Sequence, residues 1–281
     1  MTESYLPQLF KFSGAGNDFV VLDGRQGGVD AYREPGRIGQ LCRQYRTDGL
    51  MILTQAPGAD FGMEFYNPDG SGGMMCGNGG RCIVAFAQYL GIEPSEGSLY
   101  RFVAPDGPHE ACILDHKGDR WTVRLKMIDV HGITSVKGGY FLNTGTRHFV
   151  KFVPSVDSLD MEQEARPLRW DPAFQPEGTN VNLVEDAGGQ LRVRTFEKGV
   201  EGETLACGTG LTASAIAAYV HGIAGTGSGS GFRYRLQCRR GDFLEVEFTP
   251  EGPETFTQVY LTGPAELEPV AGNQLTPSEL S

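Results

Sequence analysis

Two stretches of this chain are written to one design, and that repetition constrains the fold more than any other feature. Cys76-Gly77-Asn78-Gly79 leads into a run that is apolar on nearly every side through Leu90. Cys207-Gly208-Thr209-Gly210 leads into a second such run through Val220. A helix that is apolar all round has no face to offer water, so each belongs at the middle of a domain. The likeness extends upstream. Phe65-Tyr66-Asn67 reaches the first cysteine through a turn, as Phe196-Glu197-Lys198 reaches the second, and Asp18-Phe19-Val20 and His148-Phe149-Val150 stand at nearly equal distances before them. A pair of C-G-x-G motifs alone is a weak signal. The same order of strand, turn, cysteine and helix in both halves is a strong one. The sequence therefore predicts two homologous α/β domains and a site where the two cysteine loops face each other. A length of 281 residues suits two domains.

Short β-rich segments bounded by turn residues predict strands at Phe19–Leu22, Leu50–Leu53, Thr122–Leu125, His148–Val153, Val181–Val184, Leu191–Phe196, Leu244–Phe248 and Gln258–Leu261. Ile38, Leu41, Cys42 and Tyr45 fall on one helical stripe and predict a helix over Tyr32–Tyr45. The two apolar runs predict helices over Gly79–Leu90 and Gly210–Val220. Gly222–Gly231 reads as a flexible glycine/serine loop without the lysine of a phosphate loop, and the chain from Ala271 reads as a polar tail. Forty of the residues are glycine, about twice the usual share. They do not recur every third position, which excludes collagen. Many cluster beside Asn, Asp, Thr and Ser, as tight turns and backbone-built sites require.

The bulk numbers exclude several partners. Lys and Arg total 24 against 35 Asp and Glu, a net charge of −11, so a phosphate backbone or an anionic membrane would meet repulsion. No apolar run reaches the roughly 18 residues of a transmembrane helix. Met1-Thr2-Glu3-Ser4-Tyr5 lacks the features of a signal peptide, and a cytoplasmic protein is expected. Its six cysteines, Cys42, Cys76, Cys82, Cys112, Cys207 and Cys238, are then expected to be reduced, and none forms C-x-x-C. His109, His116, His131 and His221 show no metal-ligand spacing and read as surface residues. Neither a metal nor a cofactor is called for.

A cysteine just ahead of a helix meets the positive end of the helix dipole, which lowers the thiol pKa. The following glycines let backbone approach a ligand, and the unpaired N–H groups of the first turn hold a carboxylate. Two such loops around one anion suit proton removal from one face of a carbon and proton delivery to the other. One cysteine would be thiolate and the other thiol, and no pyridoxal phosphate would be needed. A single cysteine at a helix start is more often a small packed residue than a catalyst. Duplication in matching loops reverses that for Cys76 and Cys207. It does not help Cys82, which falls inside the first buried helix and reads as core. Arg81 reads as a buried structural partner of a carboxylate, either Asp69 or an acidic residue nearby.

At these residues the sequence resembles the diaminopimelate epimerase family, cofactor-independent enzymes of bacterial lysine and peptidoglycan precursor synthesis. The marks are Gly14-Ala15-Gly16-Asn17-Asp18-Phe19, Asn67-Pro68-Asp69-Gly70-Ser71, Met75-Cys76-Gly77-Asn78-Gly79-Gly80-Arg81-Cys82, Asn143-Thr144-Gly145, Gly178-Thr179-Asn180-Val181-Asn182 and Glu203-Thr204-Leu205-Ala206-Cys207-Gly208-Thr209-Gly210. They span nearly the whole chain. The resemblance implies two pseudo-symmetric α/β (α+β) domains, each a curled mixed sheet around a central buried helix. Their expected bounds are 1–129 plus 262–281, the last strand returning to the first domain, and 130–261. It implies a homodimer acting on a small diamino dicarboxylic acid. Cys76 and Cys207 would be the acid/base thiols, and Gly77, Asn78, Gly208 and Thr209 backbone donors to the reacting carboxylate. Asn17, Asn67 and Asn180 would be polar contacts to substrate, and Glu197 and Lys198 would hold its distal end. His148 and Glu197 are candidates for tuning the thiols from behind.

Four departures from the family pattern stand out. Lys198 replaces an arginine, turning a bidentate fork into a point charge. The segment Lys198–Glu203 carries one extra residue. Thr146-Arg147 replaces Asn-Pro before His148, and Arg147 reads either as a substitute charge or as a solvated loop residue. Arg46–Gly49 is shorter than the family's glycine-rich run. The alternatives are another PLP-independent racemase or epimerase on the same fold, and a non-catalytic amino acid-binding or redox-sensing protein. Within the first class, a proline racemase would prefer C-G-H-G where Asn78 stands, and phenazine-type isomerases lack paired thiols. A metallophore-pathway histidine epimerase on this fold is a further alternative that the motifs leave open.

Overall fold

A computed structural model describes residues 7–73, 75–227 and 231–269. The chain divides into two compact units, Met1–Leu125 with Pro264–Ser281, and Lys126–Gly263. Both are mixed α+β and dominated by strands.

The first unit contains β1 (Leu9–Ser13), β2 (Asp18–Asp23), α1 (Pro35–Tyr45), β3 (Gly49–Thr54), β4 (Phe61–Tyr66), α2 (Gly77–Tyr89), β5 (Leu99–Ala104), β6 (Gly107–Lys117) and β7 (Arg120–Lys126). β1 pairs antiparallel with β2, β2 parallel with β3, β3 antiparallel with β4 and β4 parallel with β5. β5–β6 and β6–β7 then close in antiparallel fashion.

The second unit contains β8 (Val130–His131), β9 (Ile133–Val136), β10 (Gly139–Asn143), β11 (Arg147–Phe152), α3 (Met161–Glu164), α4 (Arg166–Arg169), β12 (Asn180–Asp186), β13 (Leu191–Glu197), β14 (Gly202–Thr204), α5 (Gly208–His221), β15 (Phe232–Gln237), β16 (Phe243–Pro250) and β17 (Thr255–Glu268). Its pairings run in the same order. β10–β11 is antiparallel, β11–β12 parallel, β12–β13 antiparallel, β13–β15 parallel, and β15–β16 and β16–β17 antiparallel. The repeat read from the cysteine motifs is thus a repeat of strand order. β17 pairs with β16 and β8 over its first part and with β1 over its last, where Glu266 stands opposite Ser13. It also pairs with β7.

Each sheet curls around a helix whose middle water does not reach. In α2, Cys82 through Ala87 are fully buried, as are Ala213 and Ala215 through Ala218 in α5. Phe86 meets Phe10 and Phe12 at 5.1 and 5.7 Å between ring centroids, and Tyr219 meets Phe232 at 4.6 Å. Phe12 and Phe86, both fully buried, each contribute about 2–3 kcal/mol relative to exposure. Among the described residues no helix is long and apolar enough to cross a membrane.

The elements correct several local expectations. The first helix starts at Pro35, not Tyr32. Glu34 is extended (φ −69°, ψ 127°), as a residue before proline tends to be, and Asp30–Tyr32 forms a separate 3-10 turn. α2 and α5 begin earlier than expected, at Gly77 and Gly208, because each cysteine itself is the last extended residue. The loop after α5 is not wholly open: Gly222 takes the left-handed cap, and Thr226 pairs with Arg233. Its residues 228–230 and the tail from Ala271 lie outside the described residues. His109 is half-buried on Phe102 rather than a surface residue, whereas His221 is exposed as expected, its ring stacked on Phe152 at 4.5 Å.

Candidate active site

In the first unit, Cys76 is the N-cap of α2 (φ −102°, ψ 152°). Its sulfur accepts the Gly79 N–H at 3.3 Å, and its carbonyl accepts the Gly80 N–H at 2.8 Å. A side-chain acceptor at this position satisfies one of the four N–H groups that a helix start leaves unpaired. Gly77 and Asn78 occupy the first two helical positions, where N–H groups have no carbonyl four residues back.

The Asn78 side chain is buried, and its polarity can be read. Arg81, fully buried, has only donors, and its Nη2 gives a hydrogen bond to Asn78 Oδ1 at 2.9 Å. Asn78 Nδ2 therefore faces outward and donates to Asn17 Oδ1 at 2.6 Å. That fixes the Asn17 amide with its oxygen toward Asn78. Asn17 closes a tight turn in which its carbonyl accepts the Gly14 N–H at 2.9 Å. Gly14 is required there: a Cβ would lie 2.7 Å from the Asn78 carbonyl oxygen and 2.9 Å from Cys82 Sγ.

Arg81 also donates to the carbonyls of Gly14 (2.9 Å), Gly77 (3.0 Å) and Pro264 (3.3 Å). This corrects the expectation of a pairing with Asp69. That carboxylate is exposed and accepts the Ser71 backbone N–H and hydroxyl at 2.9 and 2.6 Å, being held in its own turn. Asn67 is part of the same turn, its Nδ2 donating to Ser71 Oγ at 3.0 Å. Asp18 takes a structural role, paired with Lys11 at 3.0 Å.

In the second unit, Cys207 precedes α5 in extended conformation (φ −130°, ψ 108°) and is 9% exposed. Its sulfur does not cap the helix; it lies 3.4 Å from Thr209 Oγ1. Thr209 is tied in turn to His148 Nε2 at 2.9 Å and to Thr146 Oγ1 at 3.2 Å, while Thr146 Oγ1 lies 2.9 Å from the same Nε2. Behind them, Asn182 is fully buried: its Oδ1 accepts the Thr195 hydroxyl at 2.9 Å, and its Nδ2 donates to the Phe149 carbonyl at 3.3 Å and to His148 Nδ1 at 3.0 Å. His148 is fully buried as well, and burial pushes its pKa down to about 3. The imidazole is therefore neutral at physiological pH.

Asn180 starts β12. Its Oδ1 accepts the Lys198 N–H at 2.8 Å, and its Nδ2 donates to the Arg147 carbonyl at 2.9 Å and Thr146 Oγ1 at 3.2 Å. Lys198 Nζ donates to the Glu177 carbonyl at 2.9 Å, and Arg147 pairs with the Glu177 carboxylate at 2.9 Å. Glu197 ends β13, and its carbonyl accepts the Glu201 N–H at 2.8 Å. The extra residue after Lys198 is thereby absorbed in a turn where Glu201 takes φ +55°. Arg169 anchors that turn from α4, with Nη2 2.8 Å from Glu201 Oε1 and its guanidinium 4.3 Å from the Trp170 ring centroid.

Sequence reasoning did not single out Arg169, nor assign roles to Asn182 and Thr195. Their partners are far along the chain, and nothing local marks them. The remaining thiols differ in kind. Burial pushes Cys82, Cys42 and Cys238 up, so they stay protonated. Among the described residues no three His, Cys, Asp or Glu side chains gather as metal ligands.

A family model described as diaminopimelate epimerase matches residues 9–125 and 140–268. The diaminopimelate epimerase of Flavobacterium psychrophilum is 37% identical over 264 residues, which cover 92% of this chain and 97% of that protein. That of Chlorobaculum tepidum is 39% identical over 263 residues, 90% of this chain and 96% of that one. Among solved structures, a phenazine biosynthesis protein from Bacillus anthracis shares the fold at a TM-score of 0.69 and 11% identity, covering 93% of this chain and 96% of that one.

Proposed function

The chain belongs to the diaminopimelate epimerase family and is an isomerase of that PLP-independent epimerase class; on that premise we propose that it interconverts LL- and meso-diaminopimelate, with Cys76 and Cys207 as its two acid/base thiols. The observation that carries this reading is the placement of each cysteine. Both precede a helix start, and each sulfur has a hydrogen-bond partner within one turn, the Gly79 N–H for Cys76 and the Thr209 hydroxyl for Cys207. Helix N-termini and such donors favour thiolate over thiol.

The proton balance is simple. One cysteine, as thiolate, takes the α-proton and becomes a thiol. The electron pair left on carbon delocalises into the carboxylate. The other cysteine, as thiol, gives its proton to the opposite face and becomes the thiolate. No net redox change occurs, and the reverse reaction starts with the roles exchanged. Negative charge builds on the carboxylate in the transition state, where the N–H groups of Gly77, Asn78, Gly208 and Thr209 stabilise it. Asn17, its oxygen held by Asn78, adds amide donors. Lys198 and the Glu197 carbonyl take the distal amino acid end, and Asn67 and Asn180 are further polar contacts to the substrate. Lys198 there offers a single charged donor rather than a planar fork. His148 tunes Cys207 through Thr209, and Glu197 is the other candidate for tuning. We assign the product to lysine and peptidoglycan precursor synthesis and the enzyme to the cytoplasm as a homodimer.

The test is deuterium incorporation at the α-carbon of diaminopimelate in heavy water. Exchange is expected with the parent protein and is expected to vanish in Cys76→Ala and Cys207→Ala. Exchange surviving either substitution would remove that thiol from the chemistry. Absence of exchange with any diamino acid would favour a binding or thiol-sensing protein instead.

A further inference from the structure

The network behind Cys207 has a direction, and it ends on sulfur. Asn182 must turn its Nδ2 toward the Phe149 carbonyl, an obligatory acceptor, since its Oδ1 receives the Thr195 hydroxyl. The same Nδ2 then meets His148 Nδ1 as donor, so this neutral imidazole carries its proton on Nε2. Asn180 is oriented just as firmly. Its Oδ1 accepts the Lys198 N–H, leaving Nδ2 to donate to Thr146 Oγ1. The His148 Nε2–H and the Thr146 hydroxyl both address Thr209 Oγ1, at 2.9 and 3.2 Å. With its oxygen receiving these, Thr209 has its own proton left to give, and Cys207 Sγ at 3.4 Å is where it goes. The reversed arrangement, with Thr209 donating to Thr146, leaves the Thr146 proton without an acceptor in the cluster.

We propose that the Thr209 hydroxyl is a positioning residue for Cys207, its proton committed to the sulfur so that this thiol is held as the thiolate. The role is separate from that of the Thr209 backbone N–H toward the carboxylate. The side chains facing the cluster are His148 from β11, Asn180 and Asn182 from β12, Thr195 from β13 and Thr209 from α5. His148 is the titratable one. Of the charged neighbours in sequence, Arg147 turns to Glu177, and Glu203 is forked by Arg194 at 2.6 and 2.7 Å. At Cys76 the donor within the same turn is a backbone N–H, that of Gly79.

The consequence for epimerisation rests on the two-thiol reading, but its test needs no substrate. In the Cys76→Ala protein, thiolate absorbance is titrated against pH, with Cys76→Ala/Cys207→Ala as the blank that removes the other thiols. Thr209→Val is expected to raise the Cys207 midpoint by about one pH unit, about tenfold less thiolate near neutrality. Thr209→Ser, which keeps the hydroxyl, is expected to titrate with the parent, and Thr209→Ala serves in place of valine should the larger side chain not be accommodated. An unshifted midpoint in the valine and alanine variants overturns the proposal, as does a serine variant shifted as far as they are. A protein that shows the shift yet exchanges no diaminopimelate proton leaves this inference standing and removes the proposed substrate. One that exchanges through both thiols with no shift does the reverse.

Discussion

Beneath the Cys76 loop lies a cation, and beneath the Cys207 loop lies a neutral imidazole. The backbones are alike: an extended cysteine, two glycines around one polar residue, and a helix that starts at once. The supports are not. In the first loop Arg81 Nη1 holds the Gly77 carbonyl at 3.0 Å, and its other nitrogens gather Asn78, Gly14 and Pro264. At the matching position of the second loop stands Thr212. Its hydroxyl holds the Gly208 carbonyl at the same 3.0 Å, and the rest of the polar work passes to His148, Asn182 and Thr195 from the strands. Duplicated domains can therefore keep a loop geometry while exchanging every side chain that maintains it. What must persist is a satisfied set of carbonyls and N–H groups, whatever supplies them.

The sharpest way to break this comparison is to remove the two equivalent donors. Arg81→Met removes a buried donor from the Gly14 and Pro264 carbonyls and from the Asn78 amide oxygen, beyond the Gly77 carbonyl that the helix ladder also serves, and is expected to cost about 3 kcal/mol or more in denaturant unfolding. Thr212→Val frees one carbonyl that the helix ladder already serves, and about 1 kcal/mol is expected. Equal losses would mean that the arginine is no more central than the threonine.

A smaller contrast lies two residues earlier. A Cβ at Gly210 would lie 2.4 Å from Asn182 Oδ1, part of a buried amide locked on three sides. At Gly79 the nearest atoms are sulfurs, Cys76 Sγ and Met51 Sδ, both at 3.3 Å. Gly210→Ala is expected to destabilise by about 2 kcal/mol. Gly79→Ala should fall within about 1 kcal/mol of the parent, because methionine yields and alanine favours the helix. A tolerant Gly210 would show that the His148 network is softer than its hydrogen bonds imply.

The third test is pH. The folded pKa of His148 lies below that of an unfolded histidine, so the unfolded chain takes up a proton first as pH falls. Stability is then full above about pH 6.5 and declines from there toward the folded value, by about 1.4 kcal/mol per pH unit. His148→Gln should flatten this part of the unfolding profile between about pH 6 and pH 4.5, before carboxylates dominate. A parallel profile in the variant would place the neutral imidazole elsewhere in the energetics. The first unit has no buried histidine in the equivalent place, since Asp18 stands there with Lys11.

Much of this architecture is legible along the chain because it is written in local patterns. A helix apolar on every side, a cysteine and glycines at its start, and their recurrence at matched spacing need only neighbours to be seen. Those signals were sufficient for two copies of one α/β design and for the two thiols as candidates. Boundaries were less legible where a single residue decides them, as Pro35 does for α1. The supports were not legible at all. Arg81 pairs with Gly14 and Pro264, Arg169 with Glu201, and Asn182 with Thr195 and His148; each partner is distant in sequence, and each bond depends on distance and angle rather than on residue type. Sequence alone therefore determined the repeated frame and where its thiols stand. Tertiary structure alone decided which groups hold those thiols, and that a cation serves one half and a neutral imidazole the other, because the direction of a hydrogen bond exists only once both its ends are in place.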